Sequence, residues 1–186
     1  MKKGTLIILS GPSGVGKGTI REELFKDETL NLNYSISMTT RKPRPMEKEG
    51  VDYFFVDVET FKDKINQGEL LEYAQFVGNY YGTPQFYVDQ LLSEGKNVVL
   101  EIEIQGALQV MNKRPDALTI FIAPPSLEEL ERRIRGRSTE EDSVVLERLE
   151  KAKKELEIQD KYKYVVVNDT IKESVLQISK IIKENS

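Results

Sequence analysis

An uninterrupted apolar run, Leu6-Ile7-Ile8-Leu9, lies between a charged start and the turn residues Gly11-Pro12-Ser13-Gly14. Such a run predicts a strand buried on both faces, here over 5–10. Ile20, Leu24 and Phe25 then recur at helical spacing and predict a helix over 16–27. A short strand is expected over 34–38, and the polar, proline-bearing stretch 40–50 reads as a loop. The rhythm changes over 52–82. A strand over 52–56 is followed by a short helix capped by Asp57, with Phe61 and Ile65 on one face and Gly68 at its end. An extended segment over 70–77 and a turn at Gly78-Asn79 complete a small mixed unit, expected to be an insertion into the main fold.

Beyond it, strand and helix patterns alternate. Helices are predicted over 86–92, 105–112 and 139–161, the last with Leu146, Leu149 and Leu156 on one stripe. Ser126 with Glu129, and Thr170 with Glu173, mark two further helix starts, the final helix carrying Val175, Ile178 and Ile182. Strands are predicted over 97–104, 117–123 and 164–167. Strands separated by helices imply an α/β fold with a parallel sheet covered on both faces.

Composition narrows the chemistry. The 186 residues suit one domain with a sizeable core. No apolar run approaches the ~20 residues of a membrane span, and the start lacks a signal-peptide pattern. Cysteine is absent, which rules out disulfides and thiolate zinc sites; together these features point to the cytoplasm. Histidine is absent too, so any catalysis must rest on other side chains or on positioning. The net charge of -4 argues against non-specific nucleic-acid binding.

The segment Gly11-Pro12-Ser13-Gly14-Val15-Gly16-Lys17-Gly18-Thr19 sits between the first strand and the first helix. Glycines let several backbone N–H groups converge on phosphate oxygens, the helix N-terminus adds positive potential, and a lysine reaches the β- and γ-phosphates. The segment therefore predicts a phosphate loop for ATP. Gly18 stands where Ser or Thr usually helps hold Mg²⁺, and the hydroxyl comes one residue later, at Thr19. The metal is accordingly expected near Thr19, held mostly by water and phosphates.

A second basic loop, Thr39-Thr40-Arg41-Lys42-Pro43-Arg44, suits an acceptor phosphate but, taken alone, suits a solvated surface slightly better. With Asp52-Tyr53-Phe54-Phe55, Glu72-Tyr73-Ala74 and Gly78-Asn79-Tyr80-Tyr81-Gly82-Thr83, in that order, the chain resembles the guanylate kinase family over nearly its whole length. The resemblance implies a P-loop fold and ATP-dependent phosphorylation of GMP, and of dGMP, with Mg²⁺. It implies that Arg41, Arg44, Tyr53 and Tyr81 hold the 5′-phosphate of GMP. Ser37, Glu72 and Thr83 would read the guanine edge. An ionised glutamate accepts from guanine N1–H and N2–H₂, whereas adenine would leave that carboxylate unpaired. Phe54, Phe55 and Tyr80 are expected to be core residues.

Glu101 and Glu103, expected on one face at a strand end, are placed by the resemblance near Mg²⁺ and GMP. It makes Arg133, Arg137 and Arg148 catalytic arginines, with Lys17 and Arg41, and puts Asn168 near the adenine of ATP. Arg132, pairing with Glu128, and Arg135 read as surface ion-pair residues. The expected division is a core of 1–36, 88–125 and 149–186, a GMP-binding insertion of 37–87 and a lid of 126–148. Both mobile units are expected to close over the nucleotides. The state is left as monomer or homodimer, with no nucleic-acid or membrane partner. Two other readings remain: a partner-binding module that has lost catalysis, and a kinase for another monophosphate such as AMP. The intact Lys17 and arginines weigh against the first, and Glu72 with Ser37 and Thr83 against the second.

Overall fold

The computed structural model describes residues 2–137 and 140–186, the side chain of Arg137 excepted. Five strands form the main sheet: β1 (Leu6–Ser10), β2 (Leu32–Tyr34), β7 (Asn97–Glu101), β8 (Leu118–Ala123) and β9 (Tyr164–Val167). Their order is β2-β7-β1-β8-β9, and every pairing is parallel. This is the predicted α/β architecture. The reason is visible in β1, where all five residues are buried and alternate between two cores. Ile7 and Leu9 point into one, with Ile20 and Leu24 of α1 (Lys17–Leu24), Leu130 and Ile134 of α5 (Leu127–Arg137), and Ile178 and Ile182 of α7 (Ile171–Asn185). Leu6 and Ile8 point into the other, with Val88 and Leu92 of α3 (Gln85–Ser93) and Ile104, Ala107 and Val110 of α4 (Ile104–Lys113).

A second, mixed sheet has the order β4-β3-β6-β5, built from β3 (Met38–Thr39), β4 (Phe54–Phe55), β5 (Leu70–Phe76) and β6 (Asn79–Pro84). Its own small core is Met38, Phe61 and Leu70, with Phe54 and Tyr80 packed against it. Phe61 comes from α2 (Val58–Asn66), whose first turn is capped as expected: the Asp57 carboxylate accepts from the Thr60 N–H at 2.7 Å. Ser126 and Thr170 likewise accept from the N–H groups of Glu129 and Glu173.

Three elements differ from the expected ones. The strand expected over 34–38 is two strands in two sheets, β2 and β3, because the chain leaves one sheet for the other at 35–37. The strand expected to reach Ile104 stops at Glu101, since Ile104 is buried in the α4 core and opens that helix. Glu101 and Glu103 therefore do not share a strand face: Glu103 lies beyond the strand, at the N-cap of α4. The long helix is α6 (Asp142–Leu156), followed by a short 3₁₀ turn, and its expected start at Thr139 lies outside the described residues. Its buried stripe is Val145, Leu149 and Ala152, and Leu146 is half exposed, at 51%. Positions 145, 149 and 152 keep the 3–4 spacing of one face, from which 146 is turned by about 100°.

That face can be tested by truncation. Leu149→Ala should cost about 2–4 kcal/mol in urea unfolding, whereas Leu146→Ala should stay within about 0.5 kcal/mol of the parent protein.

Candidate active site

The carboxyl ends of β1, β7, β8 and β9 face one edge of the sheet, where open α/β folds bind ligands. The loop from Gly11 to Gly16 leaves β1 there and feeds α1. Gly16 is its N-cap, with φ of 101° and no side-chain cap, so the first N–H groups of the helix are left for a ligand. A side chain at Gly16 would also collide with Asn168, whose Nδ2 lies 2.7 Å from the position a Cβ would take. Asn168 is buried behind the loop: its amide N–H donates to the Val15 carbonyl at 2.8 Å and its carbonyl accepts from the Ser174 hydroxyl at 2.9 Å. Its visible work is thus to brace the phosphate loop.

A cleft of about 490 Å³ opens over this loop, lined among others by Lys17, Thr19, Glu101, Glu103, Lys151 and Glu155. Lys17 donates to the carbonyls of Gly11 at 2.5 Å and Pro12 at 3.2 Å. Burial lowers its pKa, and the carboxylates of Glu101, Glu155 and Glu103 act in the opposite sense. Arg148 reaches the same loop from α6, donating to the Ser13 hydroxyl at 2.8 Å while pairing with Glu140 at 2.8 Å. Gly18 has open space around it, and Thr19 is exposed into the cleft.

A second cleft, of about 380 Å³, joins the first along Glu101, Ile102 and Glu103. Its other walls include Ser37, Tyr53, Glu72, Tyr81 and Gly106. Thr83 joins this group by donating to the Glu72 carboxylate at 2.7 Å. Burial raises the pKa of Glu72, and the Thr83 bond offsets part of that rise. A Cβ at Gly106 would stand 2.9 Å from the same carboxylate, so a larger residue there would push the Glu72 side chain aside. Tyr53 and Tyr81 meet edge to face, 6.2 Å between centroids, and the Arg41 guanidinium lies 5.5 Å from the Tyr53 ring centre.

Glu47 is the residue the sequence reading missed. Its carboxylate pairs with Arg41 at 2.8 Å and accepts from the Arg44 backbone N–H at 2.8 Å. The Arg41 bond, first, and the Arg44 bond hold its pKa low. A carboxylate of the chain itself thus occupies the arginine loop. Nothing in the charge pattern distinguished Glu47 from its neighbours Lys48 and Glu49. The Arg44 side chain itself is exposed.

Arg133 lines neither cleft: it pairs with Glu129 at 2.9 Å and donates to the carbonyls of Asn168 at 2.9 Å and Asp169 at 3.3 Å. Arg137 ends α5, and its side chain lies outside the described residues. Arg132 pairs with Glu129 at 2.7 Å, not with the expected Glu128, and Arg135 pairs with Glu131 and Asp142. Glu129, held between Arg132 and Arg133, has its pKa pulled to about 2. Among the described residues, no helix is long and apolar enough to cross a membrane.

A parallel five-stranded sheet with a lysine-bearing glycine loop between its first strand and first helix defines a P-loop nucleotide-binding fold. The guanylate kinase family model matches residues 3–185. A guanylate kinase of Oceanobacillus iheyensis is 56% identical over 182 residues, spanning 98% of this chain and 88% of the relative. One from Listeria innocua is 53% identical, over 98% of this chain and 89% of its own length. The crystal structure of guanylate kinase from Anaplasma phagocytophilum superposes with a TM-score of 0.70 at 36% identity, covering 99% of this chain and 87% of that one. The chain belongs to the guanylate kinase family.

The buried Glu72 carboxylate predicts a pH effect in the nucleotide-free protein. Its folded pKa is raised, so ionising it opposes folding. The penalty is absent below the ordinary carboxylate range, grows as pH rises through that range to the folded value, and is complete above it. Glu72→Gln should therefore be more stable than the parent at neutral pH, with the gap closing in acid, as read from urea midpoints across pH.

Proposed function

We infer that this chain transfers the terminal phosphoryl group of ATP to the 5′-phosphate of GMP, and of dGMP, in purine nucleotide metabolism and GMP recycling. The observation that carries the reading is the pair of clefts meeting at Glu101–Glu103, one over a phosphate loop and one around a half-buried carboxylate bonded only to the Thr83 hydroxyl among the described residues. Guanine offers the two adjacent donors that such a carboxylate lacks. Ser37 stands beside it to donate to O6, and the Thr83 hydroxyl would do so by turning its proton away from Glu72.

In this reading the backbone of Gly11 to Thr19 and the N-terminus of α1 cradle the ATP phosphates, and Lys17 moves from the loop carbonyls to the β- and γ-oxygens. Asn168 holds the loop behind the adenine-side nucleotide. Arg41, Arg44, Tyr53 and Tyr81 take the acceptor phosphate, displacing the Glu47 carboxylate from its pairing with Arg41. Arg148 already touches the phosphate loop and needs little movement to neutralise the transferring group. Arg133 and Arg137 complete the charge on the donor side once the lid of 126–148 closes against the core, with the insertion of 37–87 closing from the other side. The acceptor is already an ionised phosphate oxygen, so no base is required, which suits a chain without histidine.

The oxygen donors Thr19, Glu101 and Glu103 suit a hard cation, yet no group of three or more acidic side chains able to hold a metal exists among the described residues. The residues fit Mg²⁺ that arrives with the nucleotide, held by Thr19 and Glu101 alongside water and phosphates. Bound there, it would neutralise charge on the bridging phosphates. The setting we propose is the cytoplasm, as monomer or homodimer, acting on free nucleotides without nucleic-acid or membrane partners.

A coupled assay with GMP, dGMP, AMP and UMP tests the acceptor. GMP and dGMP should turn over and AMP and UMP should not, and Glu72→Gln should lower kcat/KM for GMP by at least about tenfold. Equal GMP turnover by that variant would refute the guanine-reading role. Lys17→Ala should lose transfer by about a hundredfold or more while its circular dichroism stays that of the parent.

A further inference from the structure

Arg21 lies on α1 one turn beyond Lys17, so both cations leave the helix on the same side. Its guanidinium donates to the Glu101 carboxylate at 2.5 Å. The opposite side of the same group is supported by an aromatic stack: Arg21 lies 5.6 Å from the Tyr34 ring centre, and Tyr34 lies flat on Phe25 at 3.8 Å, with 5° between the planes. A second, weaker contact runs from Arg21 to Glu22 at 3.6 Å. Arg21 and Glu101 are mostly buried, with side chains 29% and 22% exposed.

Glu101 is placed where its freedom would matter. It lines the phosphate cleft, the acceptor cleft and a third, small pocket of about 180 Å³ that also contains Arg21, Tyr34, Ser37 and Thr83. Of the charged groups facing Lys17, which are Glu101, Glu155, Glu103 and Lys151, Glu101 acts most strongly on it. Yet Lys17 is bonded to two neutral loop carbonyls and not to Glu101. A lysine resting on neutral carbonyls can pass to phosphate oxygens at small cost. A lysine paired with a half-buried carboxylate would have to break a charge-assisted bond first.

We propose that Arg21 is a positioning residue that holds the Glu101 carboxylate away from Lys17, leaving the lysine free for the donor phosphates. The inference rests on the functional reading above, because it presumes that ATP occupies the cleft over the phosphate loop. Without Arg21, Glu101 turns to Lys17, on which it already acts most strongly of the facing charges, and ATP must compete with it. The aromatic shelf of Tyr34 on Phe25 fixes the guanidinium plane and so the direction of the carboxylate. Arg21→Lys keeps the charge but neither the planar fork nor the stacking, so it should recover only part of the function.

Calorimetric titration with ATP, in the absence of Mg²⁺ and GMP so that nothing turns over, tests this on four proteins: the parent, Arg21→Met, Glu101→Gln and the double variant. Arg21→Met should weaken ATP binding by about tenfold, the scale of one charge-assisted bond that has to be broken. On the Glu101→Gln background the same change should have almost no effect, because no carboxylate remains to capture Lys17. Equal losses on both backgrounds, which mere loss of a positive charge or a disturbed fold would give, overturn the proposal, as does an Arg21→Met protein that binds ATP like the parent. A parent protein that fails to bind ATP at all would instead bring down the functional reading, and this inference with it.

Discussion

A carboxylate buried without a cation governs the acceptor half of this molecule. Glu72 has one hydroxyl partner, Thr83, and a glycine packed against its free side. Burial works against its charge, and nothing in the protein repays that in full. The second sheet, the turn of α4 at Gly106 and the register that sets Glu72 opposite Thr83 all serve to keep it there. Such a site lowers the stability of the free protein, and on the proposed reading a ligand with two adjacent donors restores it. On that reading selectivity would follow from the same deficit, since a base without those donors leaves the carboxylate as it was.

The cations of the two clefts are arranged on the opposite principle, each on a partner that can be exchanged. Lys17 rests on loop carbonyls and Arg148 on a loop hydroxyl, while on the acceptor side Arg41 pairs with the carboxylate of Glu47. Each cation is held in place by a partner that a phosphate can replace. Arg133 differs, because its bonds go to Glu129 and to the carbonyls after β9. Its share in the chemistry would depend on movement of α5, whereas Arg148 already touches the loop.

Much of this was legible in the sequence because its signals are local. The phosphate loop is one contiguous segment, and the apolar runs of β1 and β8 admit few other readings. The caps at Asp57, Ser126 and Thr170 were recognisable from residue type and spacing, and all three form. What escaped was set by contacts between distant segments. The break between β2 and β3 depends on which sheet each half joins. The end of β7 at Glu101 depends on Ile104 finding the α4 core, and that separates Glu101 from Glu103. Glu47 and Arg21 were invisible for the same reason: a charged residue in a charged chain gains meaning only from the partner it meets. Asn168 was expected on the adenine side, and the fold shows its amide also serving as a strut for the phosphate loop.

The most direct measurement is a crystal of the protein soaked with GMP. The account places the guanine against Ser37, Glu72 and Thr83, with N1 and N2 on the carboxylate, and the phosphate among Arg41, Arg44, Tyr53 and Tyr81, with Glu47 moved off Arg41. A nucleotide bound elsewhere, or an acceptor cleft left empty at saturating GMP with Glu47 still paired to Arg41, would contradict it.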